Sequence, residues 1–290
     1  MTAILLALLA SFAWGFSDYA GGVASRSVRV PVVLSVAMLG GLAVVVPVAV
    51  SSGAPALQGG EGAWAACSGA VAVGSLGLMF AAMAVGPISI VGPVSACGVA
   101  IPVIVGLAQG DQPSAAQLAG IALGVAGVVL ASVERRPEDH GRRVVAGLGL
   151  ALGSAVCVGL WFVTFDKAAT HDPYWATLVS RSTTALVATA VALLWHSRHE
   201  ADVGAPAGLA GAGGRVVLLV VASGLADAVA ETAFAVSTTR GLVSVVSVLA
   251  SLYPAFMVAF AALWLRERPA RHQLAGVVAV LAGVALISTG

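Results

Sequence analysis

The sequence predicts an all-α membrane protein whose ten transmembrane helices form two inverted five-helix repeats. Only 9% of the 290 residues are charged and 59% are hydrophobic, whereas a soluble domain carries about 25% charged residues. Apolar runs of about the ~20 residues needed to cross a bilayer recur along the whole chain. Residues 111–132 also reappear as residues 267–288, with ten identities in 22 aligned positions.

Each apolar run is assigned to one membrane-spanning helix. A transmembrane β-barrel would alternate polar and apolar residues, and these runs do not. Helix 4 contains Pro93 and Pro102 and helix 9 contains Pro254. We expect both helices to be bent or broken, because prolines free backbone carbonyls that need partners inside the protein. The predicted spans are 3–22, 31–50, 63–83, 88–108, 115–132, 144–166, 174–195, 215–236, 242–265 and 271–288.

The repeat divides the chain into a first unit at residues 1–132, a hydrophilic linker at 133–143 and a second unit at 144–290. Each unit holds five spans, and an odd number forces the second unit to enter the membrane upside down. Inverted repeats of this kind place a pocket at their pseudo-two-fold axis. Small residues at matching positions of helices 5 and 10 permit close helix contact, so these two helices are expected to be structural; the residues are Gly120, Gly127, Gly276 and Gly283.

Basic residues are distributed unequally between the loops on the two sides of the membrane. Eleven arginines fall on the side opposite the chain termini, which we call the arginine-rich end, and only Lys167 and Arg240 fall on the terminal side. The positive-inside rule therefore predicts a multi-pass protein of the cell membrane with both termini outside the cytoplasm.

Charged residues within the spans are the best candidates for function, because each costs about 2.5–3.5 kcal/mol near a helix centre. Asp18 lies in helix 1, and Asp227 and Glu231 lie in helix 8. A spacing of four places Asp227 and Glu231 on one helical face. Two neighbouring carboxylates in a low dielectric resist simultaneous ionisation, which suits a proton-coupled carrier. Alternatively, one acid only pairs with an arginine to hold helices together.

Arg181 in helix 7 is the basic residue buried in a span. Chain direction places it at a depth similar to that of Glu231, so we predict that it pairs with Glu231 or Asp227 and leaves Asp18 free to exchange protons. A structural ion pair and a substrate clamp are both open interpretations. The equivalent positions in helix 3 are the apolar Ala72 and Leu76, so the shared architecture does not require the two acids.

Aromatic side chains of helices 1, 6 and 9 are predicted to wall a pocket for an organic substrate. Anchoring at the membrane interface is the alternative. The short loops before helices 5 and 10 carry Asp111 and Glu267, for which a turn or capping role is expected. The candidate pocket aromatics are Trp14, Tyr19, Trp161 and Tyr253.

Several short motifs add to the duplicated architecture. Trp14-Gly15 stands early in helix 1, Pro254 in helix 9, Glu267-Arg268 before helix 10, and Gln-Leu-Ala-Gly begins helices 5 and 10. The chain thereby resembles the EamA-type ten-helix members of the drug/metabolite transporter superfamily. The resemblance implies two EamA-like repeats around a central cavity and transport, often export, of small organic metabolites such as amino acids. Members are usually drawn with cytoplasmic termini, the reverse of the orientation that the charges predict here.

The leading hypothesis is a secondary active exporter that works by alternating access and uses the buried acids for proton coupling. The alternatives are a membrane scaffold or receptor without transport, or an intramembrane enzyme. We expect no enzyme, because the histidines lie in loops or at span ends and no HExxH motif occurs. No G-x-x-x-x-G-K-[ST] loop is present for ATP-driven pumping. The expected partners are a small-molecule substrate and the lipid bilayer, for a monomer or homodimer with no cofactor, metal or nucleic acid.

Overall fold

The computed structural model describes residues 2–53, 60–101, 105, 114–132, 139–169, 172–198, 209–238, 240, 249–250, 252–268 and 270–289. These residues form ten α-helices, and no β-strand occurs among them. The helices are α1 Thr2–Ala24, α2 Val30–Ser51, α3 Glu61–Val85, α4 Ile88–Ala96, α5 Ala115–Ser132, α6 Asp139–Ala168, α7 Pro173–Arg198, α8 Gly214–Thr238, α9 Tyr253–Trp264 and α10 Arg271–Thr289.

Length and composition make these helices suited to a bilayer. Helices α1, α2, α3, α6, α7 and α8 are each long and apolar enough to cross it, and shorter apolar helices include α9. Large apolar side chains are exposed on the outside, such as Leu186 of α7 at 71% and Leu218 of α8 at 68%. An outer surface this apolar requires lipid rather than water. The predicted all-α membrane fold is confirmed.

Contacts between the first five and the last five helices follow a two-fold pattern. Helix α1 packs on α8 as α6 packs on α3, and α2 packs on α8 as α7 packs on α3. Helix α1 likewise packs on α9 as α6 packs on α4. The equivalent helices α2 and α7, α4 and α9, and α5 and α10 meet each other directly. Such reciprocal contacts are the result expected of an inverted duplication.

Helices α5 and α10 meet through the glycines that the sequence marked as structural. A Cβ atom on Gly127 would lie 2.7 Å from the carbonyl oxygen of Gly276. A Cβ on Gly283 would lie 2.6 Å from the carbonyl oxygen of Gly120. The backbones therefore touch at equivalent positions of the two copies. The predicted small-residue contact is confirmed.

The Gln-Leu-Ala-Gly motif caps the first turn of both helices. The side-chain oxygen of Gln117 accepts a hydrogen bond of 2.9 Å from the backbone N–H of Ser114, and the Ser114 hydroxyl accepts one of 3.1 Å from the N–H of Gln117. In the second copy, Gln273 accepts a 2.9 Å bond from the N–H of Ala270. These reciprocal bonds satisfy amide groups that the helix itself leaves without partners.

Both helices that were predicted to be bent or broken are interrupted. Helix α4 contains Pro93 and gives way after Ala96 to a 3₁₀ turn, Cys97–Val99. In predicted helix 9, residues 249–250 are helical and Leu252 forms a turn, and Pro254 lies in the first turn of the helix that follows, α9, where its missing N–H has no helical partner to lose. Residues 241–248 of the predicted helix 9 lie outside the described residues.

The start of the first helix of the second unit lies earlier than the predicted span 144–166. Helix α6 begins at Asp139, inside the stretch 133–143 that the sequence assigned to a hydrophilic linker. The remainder of that linker, residues 133–138, lies outside the described residues. A charged stretch can extend a membrane helix into water, because hydropathy marks the part within the lipid and not the end of the helix.

Gly224→Ala is expected to lower the free energy of unfolding by about 1–3 kcal/mol, the usual cost of forcing extra atoms into a filled interior. A Cβ on Gly224 of α8 would collide with the carbonyl group of Ala37 on α2, so the two helices would have to separate. The matched control is Gly40→Ala, because no atom lies within 4 Å of the added Cβ there. Denaturation in detergent measures both variants, and equal stability would contradict the prediction.

Candidate functional site

A central cavity lies where α1, α2, α3, α6, α7, α8 and α9 come together. The space that water-sized molecules can occupy in it is about 140 Å³, and the empty volume including its open mouth is about 840 Å³. The lining is mainly apolar with a cluster of charges. It comprises Trp14, Asp18, Met38, Ala72, Ser75, Leu76, Met79, Val158, Trp161, Phe162, Ser180, Arg181, Thr184, Asp227, Glu231 and Tyr253.

Arg181 binds both acids of α8. Its Nη2 lies 2.6 Å from Oδ2 of Asp227, and its Nη1 donates a hydrogen bond to Oε2 of Glu231. The spacing of four residues brings both carboxylates to the same face of α8, where one guanidinium reaches both. The predicted pairing of Arg181 is confirmed, with both acids rather than one.

Two glycines make room for this buried guanidinium. A Cβ on Gly41 of α2 would lie 2.7 Å from Nε and from Nη2 of Arg181. The carbonyl oxygen of Gly224 accepts a longer hydrogen bond of 3.4 Å from Nη2. The Arg181 side chain is only 1% exposed. The protein therefore encloses the base almost completely and leaves the acids to face the cavity.

Asp18 differs from the other two acids. It lines the cavity and is only 6% exposed, yet within the described part of the chain it forms no ion pair. Its helix is fixed to α8 by two hydrogen bonds of 2.9 Å, in which Ser17 and Ser223 each donate to the other's carbonyl oxygen. The backbone of α1 next to Asp18 is thus fixed against α8, the helix that carries Asp227.

Aromatic rings surround the charges. Trp14 lines the cavity together with Asp227 and has its ring centre 6.4 Å from that of Tyr253. Across the cavity, Trp161 is stacked on Phe165 at 4.9 Å. Of the four predicted pocket aromatics, these two tryptophans and Tyr253 line the cavity.

Tyr19 was expected in the pocket and does not line it. It is buried against the rings of Phe260 at 5.8 Å and Trp264 at 5.5 Å. Successive residues of an α-helix point about 100° apart, so the side chain next to Asp18 on α1 faces a neighbouring helix instead of the cavity. The interpretation of Tyr19 as a pocket residue is corrected accordingly.

Some residues that line the cavity were not identified from the sequence. Ser180 and Thr184 lie on either side of Arg181 along α7 and are buried. Ser180 accepts a hydrogen bond of 2.9 Å from the hydroxyl of Ser68 on α3, and Thr184 donates one of 3.0 Å to the carbonyl oxygen of Gly69. Thr184 carried a usable signal, because a position three residues after a buried arginine shares its helical face; Ser180, directly before Arg181, carried none. Other polar or flexible positions carried no such signal; these are Met38, Ser75 and Met79.

Buried side chains fill the space between the cavity and the arginine-rich end. Tyr19, Phe80 and Met83 belong to the main hydrophobic core there. Gly21 and Gly22 bring the backbone of α1 directly against Phe80 and Met83. The described structure is therefore closed on this side of Asp18.

A charged contact ties the loops of the closed side together. Arg26, after α1, donates 3.1 Å hydrogen bonds to the carbonyl of Met83 and to Oε1 of Glu267. Glu267 also accepts bonds of 3.2 and 3.0 Å from the N–H groups of Ile88 and Ser89. It therefore caps the N-terminus of α4, where a negative charge is favourable, and links both units.

A family model described as the EamA-like transporter family matches residues 1–133 and again residues 145–289. Among solved structures, the crystal structure of a protein that is 20% identical superposes with a TM-score of 0.65 and covers 98% of this chain and 95% of its own. At that identity the likeness supports the fold alone. No curated protein matches the chain.

Proposed function

Because this chain belongs to the EamA-like transporter family, and so is a multi-pass membrane transporter, we propose that it is a secondary active exporter of small organic solutes. The observation that carries this proposal is the central cavity with three carboxylates and one guanidinium. Charges inside a membrane are expensive and mark solute or proton pathways. A scaffold or receptor would have no need for an acid such as Asp18, which has no ion-pair partner among the described residues, at this depth.

Alternating access follows from the symmetry of the contacts. The cavity lies between equivalent helices of the two units, and one end is closed by Tyr19, Phe80 and Met83. If the two units exchange their packing arrangements, the closed end opens while the opposite end closes. The Arg26–Glu267 contact connects the units at the closed end, so it has to break in each cycle.

Proton coupling is the mechanism that Asp18 supports best. An unpaired acid in an apolar surrounding has to be neutralised by a proton or by a cation. Alternation between these two partners links solute movement to the proton gradient. Asp227 and Glu231 both form ion pairs with Arg181 and keep its guanidinium group in place.

Counterflow in proteoliposomes tests this function. Vesicles loaded with one unlabelled compound from a panel of amino acids, amines and organic acids are mixed with its labelled form, with and without a pH gradient. We expect Asp18→Asn to reduce proton-driven flux by at least about 100-fold, since loss of a buried charged contact costs about 3 kcal/mol or more. Glu61→Gln, at the start of α3 and away from the cavity lining, is the matched control. Absence of flux for every compound would refute the function.

The charge distribution supports an orientation with both termini outside the cytoplasm and the closed, arginine-rich end inside. Fusions at the C-terminus test it. Alkaline phosphatase, which folds only outside the cytoplasm, should be active there, whereas a cytoplasm-dependent fluorescent protein should be dark. The reverse pattern would contradict the orientation without affecting the transport proposal.

A further inference from the structure

We propose that the transported solute is an organic cation without a carboxylate, an alkyl or aryl ammonium compound, which binds at Asp18 in exchange for a proton. This inference rests on the transport function proposed above and narrows its substrate class. It departs from the amino acids that the family resemblance implies. Three steps support it: the charge balance of the cavity, the engagement of Arg181, and the surroundings of Asp18.

The cavity carries an excess of acids. Asp18, Asp227 and Glu231 line it together with a single base, Arg181. The sequence segments next to α4 and α9 that lie outside the described part of the chain, 102–104, 106–113, 241–248 and 251, include no lysine, arginine or histidine. Those segments therefore cannot supply a second base. A solute that brings positive charge improves this balance, and a solute that brings a carboxylate worsens it.

Both terminal nitrogens of Arg181 are occupied by the protein, and its Nε is buried against Gly41, without a partner among the described residues and closed off from the cavity. Its two terminal nitrogens bind Glu231 and Asp227, and its side chain is 1% exposed. The carboxylate of an amino acid could reach the guanidinium only by displacing one of these acids, which would then be buried without a partner. Such an exchange is strongly unfavourable. Arg181 therefore holds the site together and does not clamp an anionic group.

Asp18 and its surroundings are suited to binding a cation. It has no ion-pair partner within the described residues, and the rings of Trp14 and Tyr253 line the same cavity. A carboxylate accepts short, charge-assisted hydrogen bonds from an ammonium group, and aromatic faces attract cations. Glu231, with 22% of its side chain exposed, adds negative potential at the same cavity. The site thus offers a carboxylate and aromatic faces to an ammonium group. Its base, Arg181, is already bound to Asp227 and Glu231 and is not offered to a carboxylate.

The exchange step is balanced in charge and atoms. The Asp18 carboxylic acid gives its O–H proton to water, and the resulting carboxylate pairs with the incoming ammonium; no other covalent bond changes. The titratable and charged groups around Asp18 are Asp227 and Glu231 on α8, Arg181 on α7 and Tyr253 on α9. Because Asp227 and Glu231 are already bound to Arg181, Asp18 is the residue that exchanges the proton.

Matched pairs of compounds that differ only by a carboxylate test the substrate class. Phenethylamine is compared with phenylalanine, and tryptamine with tryptophan, by binding to the purified full-length protein and by counterflow. We expect each amine to bind at least about tenfold more tightly than its amino acid and to be the transported member. Equal or tighter binding of the amino acids would overturn the inference and leave the transport function intact. If no compound of the wider panel moves at all, the transport function itself fails.

Proton release separates binding at Asp18 from nonspecific binding. Phenyltrimethylammonium carries no ionisable proton, so any proton released into a weakly buffered solution comes from the protein. We expect about one proton per bound cation at most, as linkage requires, and none from Asp18→Asn. The Glu61→Gln variant should behave as the unmodified protein does. Binding without release by the unmodified protein, or full release by Asp18→Asn, would overturn the assignment.

Discussion

Replacing Arg181 by glutamine is expected to lower the free energy of unfolding by about 3–5 kcal/mol, the cost of leaving a buried charge without its partner. Two carboxylates, those of Asp227 and Glu231, depend on the same guanidinium. Without it, both face each other in a low dielectric. Because a folded protein has only about 5–15 kcal/mol to lose, we expect most of the variant to be lost during expression in the membrane.

Neutralising the acids together with the base should restore the fold. In the triple variant Arg181→Gln, Asp227→Asn, Glu231→Gln, no charge of this triad is left without its partner, and removing a whole buried ion pair costs far less stability than removing one member of it. Transport by the rescued protein then separates two roles. If the triad only holds helices together, flux returns with the fold; if its charges shape the solute site, as we propose, flux remains absent.

Detergent unfolding and membrane yield are the measurements for this series. Arg215→Gln is the matched control, because Arg215 is exposed at the start of α8 and its loss buries no charge. Unmodified stability of Arg181→Gln would contradict the structure of the triad, and failure of the triple variant to regain stability would show that Arg181 supports the fold by means other than charge.

The sequence was sufficient to predict two kinds of contact. One kind joins positions that are repeated in both units, and the other involves charged residues, whose burial in a membrane costs energy. Gly127 and Gly283 could be read as a helix contact because the duplication presents each position twice. Arg181, Asp227 and Glu231 could be expected to meet, since a charge within a membrane span has to find a partner. These inferences depend on the repeat, the spacing of residues and the direction of the chain, all of which can be read from the sequence without knowing how the helices pack.

Side-chain direction and long-range capping were harder to predict. Tyr19 has the chemistry of a pocket residue, but one helical step turns it toward Phe260 and Trp264. Glu267 could be expected to cap a helix, yet it caps α4, at Ile88 and Ser89, rather than the helix that follows it. Only the arrangement of the two units in space brings those amide groups to Glu267.

Glu267→Ala is expected to shift the protein toward conformations open at the arginine-rich end. The substitution removes the contact to Arg26 and the cap on α4. A lost helix cap costs about 0.5–2 kcal/mol and a partly exposed ion pair about 0.2–1 kcal/mol. Because each 1.4 kcal/mol changes an equilibrium constant tenfold, the open population should rise by roughly tenfold, and the apparent rate of opening with it.

Thiol labelling measures this opening. In a background without Cys67, Cys97 and Cys157, Ala24→Cys places a thiol at a fully buried position of the closed end, where it reacts only when that end opens. Its labelling should accelerate about tenfold in Glu267→Ala, following the open population. Ser27→Cys, at an exposed position of the same loop, should label at an unchanged rate. Equal acceleration at both positions would indicate local unfolding of the loop, because opening between the two units exposes buried positions and leaves exposed ones as they are.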